Sequence, residues 1–144
     1  MPVTVNIVVA DAEEGWDIAE SSRPVDTWRG FVMDGLDMEK LAILQSMLTG
    51  QTFDEALVEC EPHYVVSDDG PWVTRLSEEL TESLVDLDEE KVEQIGEELA
   101  LAAEFETEGW PLDIVQSFVA ELSALADVAV AEGHALFVWT GAAR

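Results

Sequence analysis

Three kinds of side chain are scarce in this 144-residue chain. It has one cysteine, two histidines, and six lysines and arginines in total. The lone Cys60 excludes an internal disulfide and suits a reducing cytoplasm. The basic residues Arg23, Arg29, Lys40, Arg75, Lys91 and Arg144 are scattered, whereas phosphate backbones are gripped by clustered Lys and Arg. Direct nucleic-acid binding is therefore not expected, and an anionic membrane surface would repel the chain. No GxGxxG or Walker pattern occurs, which argues against a dinucleotide or nucleoside-triphosphate enzyme. The opening MPVTVNIVVADAEEGWD has no basic region and does not read as a secretory signal. No uninterrupted apolar run approaches the roughly 20 residues that span a bilayer, and the expected location is the cytoplasm.

What the chain does have is acid. Asp and Glu number 32, for a formal net charge of -26. Apolar residues still make up 48% of the chain, enough for one sizeable core, so the charge does not imply disorder. The length suits one domain, residues 1–144. Six cations do not pair 32 anions. The folded chain repels itself, and a basic protein is the partner its field would attract.

The run at 3–10, VTVNIVVA, reads as a strand buried on both faces. Asp11 caps a short acidic helix to Glu20. Residues 25–36 are ambiguous between a short helical face and a packed loop, since Gly30 and Gly35 argue against a long regular element. Asp37 caps a helix over Met38–Leu48, and Gly50 stops it. Thr52, with Glu55 three residues on, opens a further short helix whose Phe53, Ala56 and Leu57 point inward. His63–Val66 reads as a short extended piece, Ser67-Asp68-Asp69-Gly70-Pro71 as a turn, and Trp72–Thr74 as a brief strand. Ser77 caps a helix to about Val85. Asp86 or Asp88 caps a longer one to about Phe105, with Val92, Ile95, Leu99, Ala102 and Ala103 inward. The last helix runs from about Leu112 to Glu132 with a broad apolar stripe, and Gly133 stops it. His134–Thr140 is a second apolar strand. Two such strands at opposite ends of a chain are expected to pair at the centre of one small sheet covered by helices, an α+β fold.

Four stretches carry a family resemblance. They are the strand at 3–10 running into an acidic helix; Leu36-Asp37-Met38-Glu39-Lys40 followed by Leu48-Thr49-Gly50; Trp72 to Glu90, WVTRLSEELTESLVDLDEE; and Glu132-Gly133-His134-Ala135-Leu136 before the terminal strand. In this order they resemble the YfbM-like bacterial proteins, a family of unknown function. Gln51–Gly70 departs from the pattern, being acidic where family members tend to be glycine-rich. The resemblance implies an α+β fold of this connectivity and transfers no catalytic residue.

Few residues stand out as chemistry. Cys60-Glu61-Pro62-His63 has a spacing that supplies two metal ligands, but a structural zinc site takes four and His134 is far along the chain. A Cys60/His63 or Cys60/His134 nucleophile pair lacks any local signature. Neither Asp68-Asp69-Gly70 nor Asp86-Leu87-Asp88-Glu89-Glu90 has the ligand spacing of a calcium loop. No metal, cofactor or catalytic residue is assigned. Trp28 beside Arg29, and Trp72 three residues before Arg75, place a cation near an aromatic ring, an arrangement that makes a cation–π contact or binds an anionic group. Its plainer reading is a surface ion pair. Glu78–Glu108 holds 13 acids and one base, a solvated helix face or a partner surface, with Glu97 and Glu98 near its middle.

Three functions compete on these grounds. The first is a non-enzymatic interaction protein, for instance of the immunity type, presenting Glu97 and Glu98 to a basic partner. The second is a small-molecule sensor or enzyme with a pocket between sheet and helices near Trp28, Arg29, Trp72 and Arg75. The third makes the acidity a mark of a salt-adapted or high-GC source, serving solubility alone.

Overall fold

A computed structural model describes residues 3–142, apart from Asp86. In chain order the elements are β1 (Val3–Ala10), a 3-10 turn (Ala12–Glu14), α1 (Gly15–Glu20), a second 3-10 turn (Pro24–Asp26) and β2 (Gly30–Asp34). Then come α2 (Met38–Thr49), α3 (Phe53–Glu59), β3 (Tyr64–Val65), β4 (Trp72–Arg75) and α4 (Glu78–Leu84). The chain finishes with α5 (Glu89–Leu101), α6 (Ala103–Thr107), α7 (Leu112–Glu132) and β5 (Ala135–Ala142).

The strands form one antiparallel sheet in the order β2-β1-β5-β4-β3. The two terminal strands pair at its centre over their whole length, from Val3 opposite Ala142 to Ala10 opposite Ala135. This is the expected α+β arrangement. It explains why both runs are almost wholly apolar, since a central strand covered on both sides has no solvent face. One polar exception, Asn6, is 1% exposed, and its side-chain oxygen accepts the Val25 N–H at 3.3 Å.

Alternation along the strands divides the core in two. Val5, Ile7, Val9, Leu136 and Val138 face the larger cluster, with Leu41 and Leu44 of α2, Leu80 and Leu84 of α4, Leu99 of α5 and the stripe of α7. Val8, Ala10, Val73, Phe137 and Trp139 face the smaller one, closed by Ile18 and Ala19 of α1 with Trp28 and Tyr64 packed against it. By length and composition α7 passes as a membrane-spanning helix. In this fold Val115, Phe118, Val119, Leu122, Leu125, Ala126 and Ala129 are buried in the larger cluster.

The caps fall where the sequence places them. Asp11 and Thr52 form reciprocal capping boxes with Glu14 and Glu55, and Asp37, Ser77 and Asp88 each accept the N–H three residues on. Asp86, the other possible cap for α5, lies outside the described residues. Gly50 and Gly133 end α2 and α7 in the left-handed conformation, as glycine does at this position.

Three expectations need correction. Residues 30–34 are neither helix nor loop but the edge strand β2. Gly30 enables the strand instead of interrupting it: a Cβ there would lie 1.9 Å from the Ile7 carbonyl oxygen. The long helix predicted to Phe105 breaks at Ala102, whose backbone is extended, giving α5 and α6. Phe53 is 37% exposed, not inward: it opens α3, a helix that buries only Ala56 fully.

Candidate functional site

The sequence names Trp28, Arg29, Trp72 and Arg75 as one group. The strand register separates them. Trp72 and Thr74 sit opposite Thr140 and Val138, on the α2 side of the sheet, whereas Val73 and Arg75 sit opposite Trp139 and Phe137, on the α1 side. Trp72 lines a cleft of about 400 Å³ with Leu36, Met38, Leu41, Cys60 and Val138 among its walls and Asp37 and Thr140 as polar members. Neither Trp28, Arg29 nor Arg75 lines it. Trp28 is half-buried against the smaller core, and its indole N–H donates to Oε2 of Glu14 at 3.1 Å. The other Glu14 oxygen accepts the Asp11 N–H, so this tryptophan is tied to a capping box. Arg29 is exposed and Arg75 half-exposed, and among the described residues neither forms an ion pair or a ring contact.

Glu97 and Glu98 are exposed on α5, as are Glu89, Glu90 and Glu93 of the same helix. Among the described residues none of these five is ion-paired. Leu101, at the C-terminal end of α5, is 74% exposed, more than any other large apolar side chain described. Across the α6 connection, Leu112 and Ile114 at the start of α7 are also exposed. The helix pair is drawn together by Gly96, whose missing side chain leaves room for Gln116, and the Gln116 amide donates to the Glu93 carbonyl at 3.3 Å.

Cys60 and His63 do not act together. The Cys60 thiol is 2% exposed and donates to Gln45 Oε1 at 3.7 Å. His63 Nδ1 accepts the Arg75 N–H at 3.1 Å. Burial, helped by the neighbouring Glu59 charge, pushes the Cys60 pKa up to about 11. A thiol held protonated is a poor nucleophile and a poor metal ligand. Among the described residues no group of three or more His, Cys, Asp and Glu side chains is arranged to hold a metal ion.

Among the described residues the cation–π contacts involve a residue that sequence reading passed over. Lys40 is 1% exposed. Its ammonium lies 5.6 Å from the Trp110 ring centre and 5.9 Å from that of Phe105, two rings packed edge-to-face at 5.1 Å. It pairs with Asp37 at 2.8 Å and with Glu108. The signal was weak in the sequence because Glu108 and Trp110 are distant from Lys40 along the chain, and α6 brings them together.

Two further tryptophans lie in or next to the residues of the smaller core. Trp16 is 53% exposed with its ring edge-on to Tyr64. Trp139 is 4% exposed, and its indole Nε1 is buried with no hydrogen-bond partner among the described residues.

No protein-family model matches this chain, and neither a curated protein nor a solved structure matches it significantly.

Proposed function

We propose that this chain is a non-enzymatic cytoplasmic binding protein whose acidic α5 face docks on a basic protein partner, the role an immunity-type protein plays. One observation carries the reading. Five glutamates on α5, none of them ion-paired among the described residues, share the helix with Leu101, an apolar side chain left 74% exposed and preceded one turn earlier by Glu97 and Glu98. An apolar anchor within a charged rim is the usual make-up of an interface centre. Carboxylates of one sign along the same helix steer an oppositely charged partner and reject others. On the residues quoted above, we also propose that the chain belongs with the YfbM-like proteins.

Affinity capture from the native source at low and moderate salt tests the main reading. The expected result is one basic protein retained stoichiometrically and released by salt, with retention lost in the double variant Glu97→Lys, Glu98→Lys. Retention indifferent to that reversal removes α5 as the binding face. A second reading, a small-molecule sensor, draws on the apolar cleft lined by Trp72, whose volume lies in the range of ligand pockets. A thermal-shift screen in which Thr140→Phe, filling the cleft from β5, leaves every hit unchanged would dispose of it.

A further inference from the structure

The cleft lined by Trp72, of about 400 Å³, has almost no charge to offer, although the chain around it is strongly acidic. Among the described residues no basic side chain borders it, and Asp37 is its one acid. Both Asp37 oxygens are already engaged by Lys40, one by the backbone N–H at 2.9 Å and the other by the ammonium at 2.8 Å. The rest of the wall is mainly apolar, with Leu36, Met38, Leu41 and Val138 beside the Trp72 ring. Cys60 borders the cleft as well. Burial pushes that thiol's pKa up to about 11, the mark of surroundings that disfavour charge.

Two hydroxyl residues interrupt the apolar wall, Thr74 and Thr140. Strand alternation places both on this side of the sheet. Thr74 stands opposite Val138, and Thr140 opposite Trp72, while Val138 belongs to the larger core that lies on this side. The Thr74 hydroxyl donates to the Cys60 carbonyl at 3.2 Å. The half-buried Thr140 hydroxyl has no hydrogen-bond partner among the described residues, so its proton is available at the cleft.

We propose that this cleft binds a small neutral molecule made of an apolar body and one hydroxyl or carbonyl group. The body lies among Leu36, Leu41 and Val138 and against Trp72, and its oxygen accepts the Thr140 O–H. A few placed polar groups in an apolar wall are what orient a ligand in such a cavity. Phosphates, carboxylates and nucleotides meet no cation there, and a net charge of -26 turns anions away. An ammonium ion finds Asp37 already paired. The same field repels a second copy of the chain, which leaves a small ligand as the occupant. This inference rests on the second reading above, the sensor, and names its ligand class.

Three compounds with one ring system test each part: 2-naphthol, its carboxylate analogue 2-naphthoate, and the hydrocarbon 2-methylnaphthalene. Equilibrium dialysis gives affinity, and the amide signals of Thr74, Val138 and Thr140 in a proton–nitrogen correlation spectrum give the place. 2-Naphthol should bind saturably below about 1 mM and move those three amides. 2-Naphthoate should bind at least about tenfold more weakly, since a carboxylate without a partner resists desolvation. Thr140→Val keeps the β-branched shape a strand favours and removes the hydroxyl. It should weaken 2-naphthol roughly three- to tenfold, the worth of one hydrogen bond, and 2-methylnaphthalene less than about twofold by the same argument. Failure of 2-naphthol and 2-naphthoate alike overturns the proposal and the sensor reading with it. Equal binding of 2-naphthoate at the same amides overturns the ligand class alone and leaves the sensor reading standing. An equal loss of 2-naphthol and 2-methylnaphthalene in Thr140→Val overturns the role given to the ligand's oxygen. If the wild type sediments as a dimer and the three amides ignore 2-naphthol, a second copy fills the cleft and the proposal falls.

Discussion

Asp37 holds Lys40 at both ends: one carboxylate oxygen accepts the Lys40 backbone N–H at 2.9 Å, and the other meets its ammonium at 2.8 Å. A single residue thus caps α2 and satisfies a buried charge. Glu108 completes the ion pairing from α6, so the ammonium also joins two distant parts of the chain.

Removing that ammonium should loosen the α2–α6 contact. Asp37 and Glu108 are about half exposed, so they stay solvated when Lys40 is lost, and the penalty falls short of that for a stranded buried charge. We expect Lys40→Met to cost about 1–3 kcal/mol, the value of charge-assisted hydrogen bonds, measured by urea unfolding. Burial on its own would lower the Lys40 pKa. Hydrogen bonds to Asp37 and Glu108, with their charges, outweigh it and hold the pKa above 10.5. A folded value above the unfolded one means the stabilisation is complete below 10.5 and is lost as pH rises through the folded value. The gap between wild type and variant should be constant from neutral pH upward and shrink only in strong alkali.

Cys60 gives a second alkaline signature. Its folded pKa of about 11 stands above the reference value of 9.0, so the unfolded chain sheds this proton first. Stability should fall by about 2–3 kcal/mol as pH rises from 9 to 11, the equivalent of two pK units. Cys60→Ala should lack this loss. At pH 8 the native thiol should react with a disulfide reagent about a hundredfold more slowly than the urea-unfolded chain, in proportion to thiolate. Equal rates would show that the cleft beside Trp72 admits reagent to an ionised sulfur.

Salt should stabilise the fold. The ion pairs of the described residues that carry a fixed positive charge involve Arg23 and Lys40, which leaves most of the 32 carboxylates facing one another through water. Screening over about 8 Å at physiological ionic strength relieves that repulsion. We expect the melting temperature to rise by roughly 3–6 °C between low salt and 0.5 M, equivalent to about 1 kcal/mol. A flat or falling curve would refute the expected self-repulsion. In the same series Glu97→Lys with Glu98→Lys should be neutral or slightly stabilising, which separates its effect on binding from any effect on folding.

Gly30→Ala should detach the sheet edge. The new methyl would meet backbone, the Ile7 carbonyl at 1.9 Å, which cannot rotate aside. A loss of roughly 2 kcal/mol or more is expected, with amide exchange accelerated at Phe31 and Met33 and unchanged at β5. Uniform acceleration throughout the sheet would mean β2 is not a separable edge.

The legible parts of this fold were those written locally. Asp37, Thr52, Ser77 and Gly133 are caps whose geometry needs only the next few residues, and the two apolar runs announced central strands because their side chains leave no polar face. β2 was hidden because its glycine, a local argument for a break, answers a distant constraint at Ile7. The α5–α6 break was hidden because the apolar spacing continues through Ala102 while the backbone does not. At the sites, Trp72 lines a cleft between sheet and helices. Arg75 falls on the opposite face of β4, because three residues along a strand reverse the face. Lys40 was overlooked because its value depends on Glu108, Phe105 and Trp110, none of them near it in sequence.

The edge position of β2 carries one more consequence. Val9 donates its N–H to the Arg29 carbonyl at 2.9 Å, and by alternation Arg29, Phe31 and Met33 turn inward to β1 while Val32 and Asp34 turn their peptide groups outward. The strand itself, Gly30–Asp34, holds no lysine or proline, two of the usual safeguards against edge-to-edge growth. Between copies each bearing -26, long-range repulsion takes over the task. That repulsion should keep the chain from polymerising on itself, and this protection should vanish as acid brings the solution toward the isoelectric point near 4.1.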